Sequence, residues 1–258
     1  MLGGLAGGSS TASVLSIDPV AGTVRHAGTL AEAVHDAAGA VVGGAARVFG
    51  GGAARTLDSV QTYAASGSHV TAHLPRPRSD LAAVTVNGTA FIAGGFDGST
   101  LSPYVVSTGD GSTFKIAGTL ATAVRYPAIA AAGDSIFVIG GSTANTESSA
   151  AGQVDLVQRF DISTGRTTIV AHLPHAIAHA AAFVLGGELF VAGGVEGRQP
   201  LAAVYRVDGS SVQPAGMLPG PRSDAGVVTI GDRAWLVGGE DGGPAAPLDS
   251  VVVARAVR

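Results

Sequence analysis

Five stretches of the chain are apolar without alternation: AAGAVV (37–42), LAAVTV (81–86), PAIAAA (127–132), AAAFVL (180–185) and AGVVTI (225–230). Each is six residues long, too short for a helix with a buried face, and reads as a strand covered on both sides. A two-residue turn follows each run: Gly43-Gly44, Asn87-Gly88, Gly133-Asp134, Gly186-Gly187 and Gly231-Asp232. Such dipeptides accept the positive φ that tight hairpins need. A second apolar run then ends at a double glycine: Gly50-Gly51, Gly94-Gly95, Gly140-Gly141, Gly193-Gly194 and Gly238-Gly239. The pattern predicts five hairpins, each made of a first strand, a, and a second strand, b.

The hairpins are copies of one another. Counted from Leu30, Leu74, Leu120, Leu173 and Leu218, which lie 44, 46, 53 and 45 residues apart, each double glycine begins 20 residues on. LPRPRSDLAAVTVNGTAFIAGG (74–95) and LPGPRSDAGVVTIGDRAWLVGG (218–239) are nearly one text. Seventeen residues after the leucine stand Arg47, Phe91, Phe137, Phe190 and Trp235, where Arg47 is the odd member. Two further short strands follow each double glycine. The c strands are SVLSID (13–18), DSVQTY (58–63), PYVVST (103–108), VDLVQRFD (154–161), AAVYRV (202–207) and DSVVVAR (249–255). The d strands are TVRHA, SHVTA, TFKIA, TTIVA and SVQPA. Four strands per 44 to 53 residues is the period of a propeller blade. No segment offers 10–15 residues of amphipathic helix between strands, which removes a parallel α/β fold.

The double glycine closing b, the turn about seven residues before it and the pitch near 50 residues resemble the kelch repeat. The resemblance covers nearly the whole chain and implies a single all-β propeller domain over residues 1–258, of a divergent bacterial type. The family's spaced Tyr and Trp after the double glycine are reduced to Tyr63 and Tyr205, and Trp235 precedes it. MLGG at the start reads as the end of a b strand without its body, and the chain ends after a c strand. Five complete blade cores with five-bladed closure, the N-terminal d strand completing the last blade, are the favoured reading. A six-bladed ring whose first blade holds only outer strands is the alternative, and its exposed apolar faces would invite a homodimer.

Composition narrows the chemistry. Glycine is 39 of 258 residues, about double the usual share, as tight turns require. Net charge is −4 with one lysine, Lys115, so no basic stripe for nucleic acid is expected. There is no cysteine, which excludes disulfides, thiolate catalysis and Cys-ligated metals. No run approaches the roughly 20 apolar residues of a membrane span. No signal peptide is read in MLGGLAGGSS. Loss of an upstream leader would make the protein extracellular or cell-surface, and otherwise it is cytoplasmic.

Candidate chemistry sits near the start of each a strand, on the face shared by the d–a and b–c connections. Six residues after the leucine stand Asp36, Asp80, Tyr126, His179 and Asp224, and five after it stand His35, Ser79, Arg125, Ala178 and Ser223. A propeller brings these columns together at the mouth of its channel, a concave site with convergent polar groups. His35, Asp36, Asp80, Arg125, Tyr126, His179 and Asp224 are the expected ligand-binding residues. Arg78, Asp80, Arg222 and Asp224 recur and so also read as scaffold, whereas His35, Arg125, Tyr126, His175 and His179 break the repeat. The expected function is a non-catalytic scaffold recognising a protein, peptide or glycan, with no cofactor and no metal. Copper-radical chemistry of the galactose-oxidase kind needs a cysteine, and STGDGSTF (107–114) has the wrong spacing for a sialidase box. A cofactor-free enzyme acting on a sugar, like kelch epimerases, is the alternative. A structural module of a longer secreted or surface protein is a third reading. Asp36, Asp80, Asp224 and His179 could converge on a hard cation such as Ca²⁺, although channel carboxylates are more often simply hydrated. The loops 142–153, 96–100 and 240–244 are further recognition candidates.

Overall fold

A computed structural model describes residues 1–64, 66–145, 150–242 and 247–255. All regular elements among them are strands. The first sheet holds β1 (Leu5–Ala6), β2 (Ser9–Asp18) and β3 (Thr23–Val34). The second holds β4 (Ala38–Val42), β5 (Ala45–Phe49), β6 (Ser59–Tyr63) and β7 (His69–His73). The third holds β8 (Ser79–Val86), β9 (Thr89–Phe96), β10 (Tyr104–Thr108) and β11 (Lys115–Thr119). The fourth holds β12 (Ala128–Ala132), β13 (Ser135–Ile139), β14 (Leu156–Asp161) and β15 (Arg166–His172). The fifth holds β16 (Ala181–Leu185), β17 (Glu188–Ala192), β20 (Ala203–Asp208) and β21 (Ser211–Met217), with the small hairpin β18 (Val195–Glu196) and β19 (Gln199–Pro200) between β17 and β20. The sixth holds β22 (Gly226–Ile230), β23 (Arg233–Val237) and β24 (Val251–Arg255).

Six sheets stand where five-bladed closure was favoured. The physical reason is local: β3 pairs along its length with β2, so the N-terminal d strand completes its own sheet. Residues 1–4 do close a b strand. Leu2 bridges Val14 as Phe49 pairs with Val60 and Ile139 with Val157, and Gly3 and Gly4 take the positive φ of the other double glycines.

The chain forms two compact units, Met1–Gly118 and Thr119–Arg258. Within each, consecutive sheets stack through the faces the sequence left unalternated. In the first unit Ala38, Val42 and Phe49 pack on Leu81 and Ile92 of the next sheet. In the second, Ala128, Ala130 and Ile139 pack on Ala182, Leu189 and Val191, and Ala181, Phe183 and Leu185 on Ala234 and Leu236. Small residues on a let the inner strands approach. The sixth a strand departs from expectation: Val228 and Ile230 are exposed, since no following sheet of its unit covers them.

The double glycine has a structural cause. The amide of its second member donates to the carbonyl four residues after the next blade's leucine: Gly4 to Val34, Gly51 to Arg78, Gly141 to Ile177 and Gly194 to Arg222, at 2.7–2.8 Å. A Cβ on Gly193 would collide with the Arg222 carbonyl, and its φ of 65° already favours glycine. Arg47 fits among aromatics because its guanidinium leaves the core to bond Thr62 and Thr71 at 2.5 and 3.1 Å. Buried glutamines on the c strands were not anticipated. Gln61 clamps the backbone of Glu32, and Gln158 that of Thr122, each accepting from the amide at 2.8 Å and donating to the carbonyl.

Candidate functional site

The column six residues after each leucine shares one unusual backbone state. Asp36, Asp80, Tyr126, His179 and Asp224 have φ of 48°, 59°, 53°, 60° and 55°. Left-handed backbone is tolerable for Asp and His but rare for a bulky residue such as Tyr126. What enforces it is a backbone relay between blades. The Asp80 amide donates to the Asp36 carbonyl at 2.9 Å. His179 donates to Tyr126, and Asp224 to His179, each at 3.0 Å. The residue one earlier pairs with the strand end beyond the double glycine, as in His35 with Gly52, Arg125 with Ser142, Ala178 with Val195 and Ser223 with Glu240.

The second unit gathers the richest chemistry. The Tyr126 and His179 rings stack at 4.0 Å between centroids, 26° from parallel. Arg125, 7% exposed, donates from Nη2 to the Tyr126 hydroxyl at 3.0 Å and holds its guanidinium carbon 4.7 Å from that ring's centre. His179 Nδ1 lies 2.5 Å from Asp224 Oδ1. Its Nε2 is buried and has no hydrogen-bond partner among the described residues. The Glu240 carboxyl is pushed up by burial and by the Asp224 charge, against the opposing pull of His179. An imidazole oriented at one nitrogen and available at the other can accept or donate a proton or bond a ligand hydroxyl.

The first unit brings His35, Asp36 and Asp80 near one another. His35 Nδ1 is 2.8 Å from Ser10 Oγ and its Nε2 is 3.8 Å from Asp36 Oδ2. Gly52 admits the His35 ring, which a Cβ there would strike. Asp80 is 3% exposed. The repeated arginines act on the backbone: Arg78 donates to the Tyr104 carbonyl at 3.1 Å, and Arg222 bonds the Gly238 carbonyl and Ser250 Oγ. Burial, then the Arg76 charge, holds Arg78 at about 10. Burial also lowers Arg222. His175 pairs with Glu196 at 3.0 Å, apart from the His179 cluster.

Of the four residues named for a cation, Asp224 and His179 meet in the second unit and Asp36 and Asp80 in the first. No group of three or more His, Cys, Asp or Glu suited to a metal occurs among the described residues. Ser10 was missed as a site residue, and Glu240 was named only within the 240–244 tip, apart from the polar columns. Glu240 was legible as the partner, 22 residues after Leu218, of the column five residues after it. Ser10 had no such signal, because it lies in the first sheet, before the register begins. The 142–153 loop is described at both ends. Gln153 there bonds Gly197 in both directions, at 2.6 and 3.2 Å, while residues 146–149 lie outside the described residues, as do 243 and 244 of the 240–244 tip. In 96–100, Asp97 accepts from Ser99 and Thr100.

Sheets repeated in this register, six in number, define a β-propeller. A solved structure described as "Structure of YjhT" matches at a TM-score of 0.81 and 15% identity, over 97% of this chain and 90% of that one. At that identity the likeness is one of fold. No protein-family model and no curated protein sequence matches the chain. No helix among the described residues is long and apolar enough to cross a membrane.

Proposed function

We infer that the chain is a kelch-type propeller that binds a glycan through Arg125, Tyr126, His179, Asp224 and Glu240. The observation carrying this reading is His179: its ring is stacked on Tyr126, anchored by Asp224, and holds a buried Nε2 with no partner among the described residues. Hydroxyl-rich ligands suit such a set, since Arg donates, carboxylates accept and the imidazole can do either. A propeller fold is compatible with a binding role but does not select the ligand. The repeat register and the double glycines support the kelch type. The test is a glycan array followed by titration calorimetry. Arg125→Ser with His179→Gln should abolish binding of any glycan the parent retains, and retention at parental affinity would reject the site.

The same geometry favours a second reading, a cofactor-free enzyme acting on a sugar with His179 as general base. Proton-exchange NMR of monosaccharides with catalytic amounts of protein separates the two readings. Turnover lost in His179→Gln supports the enzyme, and binding without turnover supports the scaffold.

A further inference from the structure

The first unit holds a serine, a histidine and a carboxylate in one chain of contacts. Ser10 Oγ lies 2.8 Å from His35 Nδ1. The other ring nitrogen, Nε2, faces Asp36 Oδ2 at 3.8 Å, too long for a hydrogen bond but close enough for charge to act. The carboxylate favours the proton on Nε2, which leaves Nδ1 to accept from the Ser10 hydroxyl. Ser10 and His35 are both half-buried, so the pair is partly shielded from water and still open to a ligand.

Both members are held in place from the backbone. The His35 amide donates to the Gly52 carbonyl at 3.0 Å, and the Gly52 amide to the His35 carbonyl at 2.7 Å. A Cβ on Gly52 would come within 2.7 Å of His35 Nε2. In the next four blades that place holds Phe96, Ser142, Val195 and Glu240, opposite Ser79, Arg125, Ala178 and Ser223. Glycine thus stands where the imidazole needs the room. On the other side, Gly7 and Gly8, with φ of 57° and 77°, turn β1 onto β2 and set Ser10 opposite Leu5. Directly opposed residues share a face, which puts Leu5, 56% exposed, beside the hydroxyl.

We propose that Ser10 is a nucleophile with His35 as its general base, and that the pair hydrolyses esters of short acyl groups. Attack forms the bond from Ser10 Oγ to the acyl carbon while the hydroxyl proton passes to His35 Nδ1. The ester C–O bond then breaks, and His35 gives the proton to the departing alkoxide, which leaves as the alcohol. Water adds to the acyl carbon and loses a proton to His35. The bond to Ser10 Oγ breaks, Ser10 takes that proton back, and the carboxylic acid leaves. Asp36 is a positioning residue that stabilises the imidazolium formed at each stage. Leu5 offers the acyl chain an apolar rest. None of these residues belongs to the Arg125, Tyr126 and His179 set, and glycan binding there is independent of this activity.

The test treats the full chain with a fluorophosphonate probe and locates the adduct by peptide mass spectrometry. Ser10 should be labelled, and Ser10→Ala and His35→Gln should each lower labelling and the hydrolysis of p-nitrophenyl acetate at least about a hundredfold. Asp36→Asn should slow labelling and move its pH midpoint, which a merely structural carboxylate would leave in place. Because the chain has no cysteine, Ser10→Cys carries a single thiol. At pH 6 iodoacetamide should alkylate it at least about tenfold faster than in Ser10→Cys with His35→Gln, since a neighbouring imidazole draws the thiol to thiolate. An unlabelled parent, an adduct at another residue, or labelling that survives in His35→Gln would overturn the proposal. So would equal thiol reactivity in the two cysteine variants.

Discussion

The His179 ring meets the Asp224 carboxylate at 2.5 Å although 45 residues separate them in the chain. The Asp224 amide also donates to the His179 carbonyl, so one pair of residues joins two blades by backbone and by side chain. The side-chain bond orients the imidazole, with Nδ1 as the donor when the ring is neutral.

Asp224→Ala should therefore change the tautomer more than the stability. The Asp224 side chain is 41% exposed, so solvent screening limits the lost side-chain bond to about 1 kcal/mol, and alanine at a φ of 55° adds a backbone cost of about 1 kcal/mol. Long-range ¹H–¹⁵N spectra of His179 should shift from the Nδ1–H form toward the Nε2–H form. An unchanged tautomer would show that the ring is held by its stack on Tyr126 alone.

Tyr126 occupies a left-handed position where three sister blades place Asp. Tyr126→Asp relieves a backbone cost of roughly 1–2 kcal/mol and gives up a stack worth about 0.5–1.5 kcal/mol. Thermal melts should stay within about 1 kcal/mol of the parent. Ligand binding should fall on the order of tenfold or more, as the Arg125 anchor is lost with the hydroxyl.

Two glycines of the fifth blade separate backbone preference from crowding. Gly187 has φ of 84° with open space around it, whereas a Cβ on Gly193 would meet the Arg222 carbonyl. Gly187→Ala should cost about 1–2 kcal/mol in denaturant unfolding, the price of left-handed backbone alone. Gly193→Ala should cost more than about 3 kcal/mol, because the Gly194–Arg222 inter-blade bond must also give way. Equal costs would mean that the blades shift freely.

Acid should loosen two turns. Burial works to raise Asp97, but hydrogen bonds from Thr100 and Ser99 outweigh it and hold the carboxyl at about 2. Asp161 is held at about 2, chiefly by the Ser163 hydroxyl and then by Thr164. Both folded values lie below the unfolded one. Their stabilisation is thus complete above about pH 4 and is lost as pH falls through 2. Melting temperature should drop over that window, and Asp97→Asn should flatten part of the drop.

Strand identity, the blade period and the polar column were legible because each depends on local chemistry repeated in sequence. Apolar runs, turn dipeptides and double glycines recur at fixed spacing, and a repeat makes one strand's evidence count five times. Blade number was not legible in the same way. It turned on whether β3 pairs with β2 or with a strand more than 200 residues away, and both pairings satisfy the same pattern. The partners of His179 were also beyond reach of spacing alone. Column position placed Tyr126, His179 and Asp224 side by side, but the stack on one, the bond to the other and the nearness of Glu240 depend on rotamers and inter-blade distance. Those are set by how small a-strand residues let neighbouring sheets approach, which only tertiary packing decides.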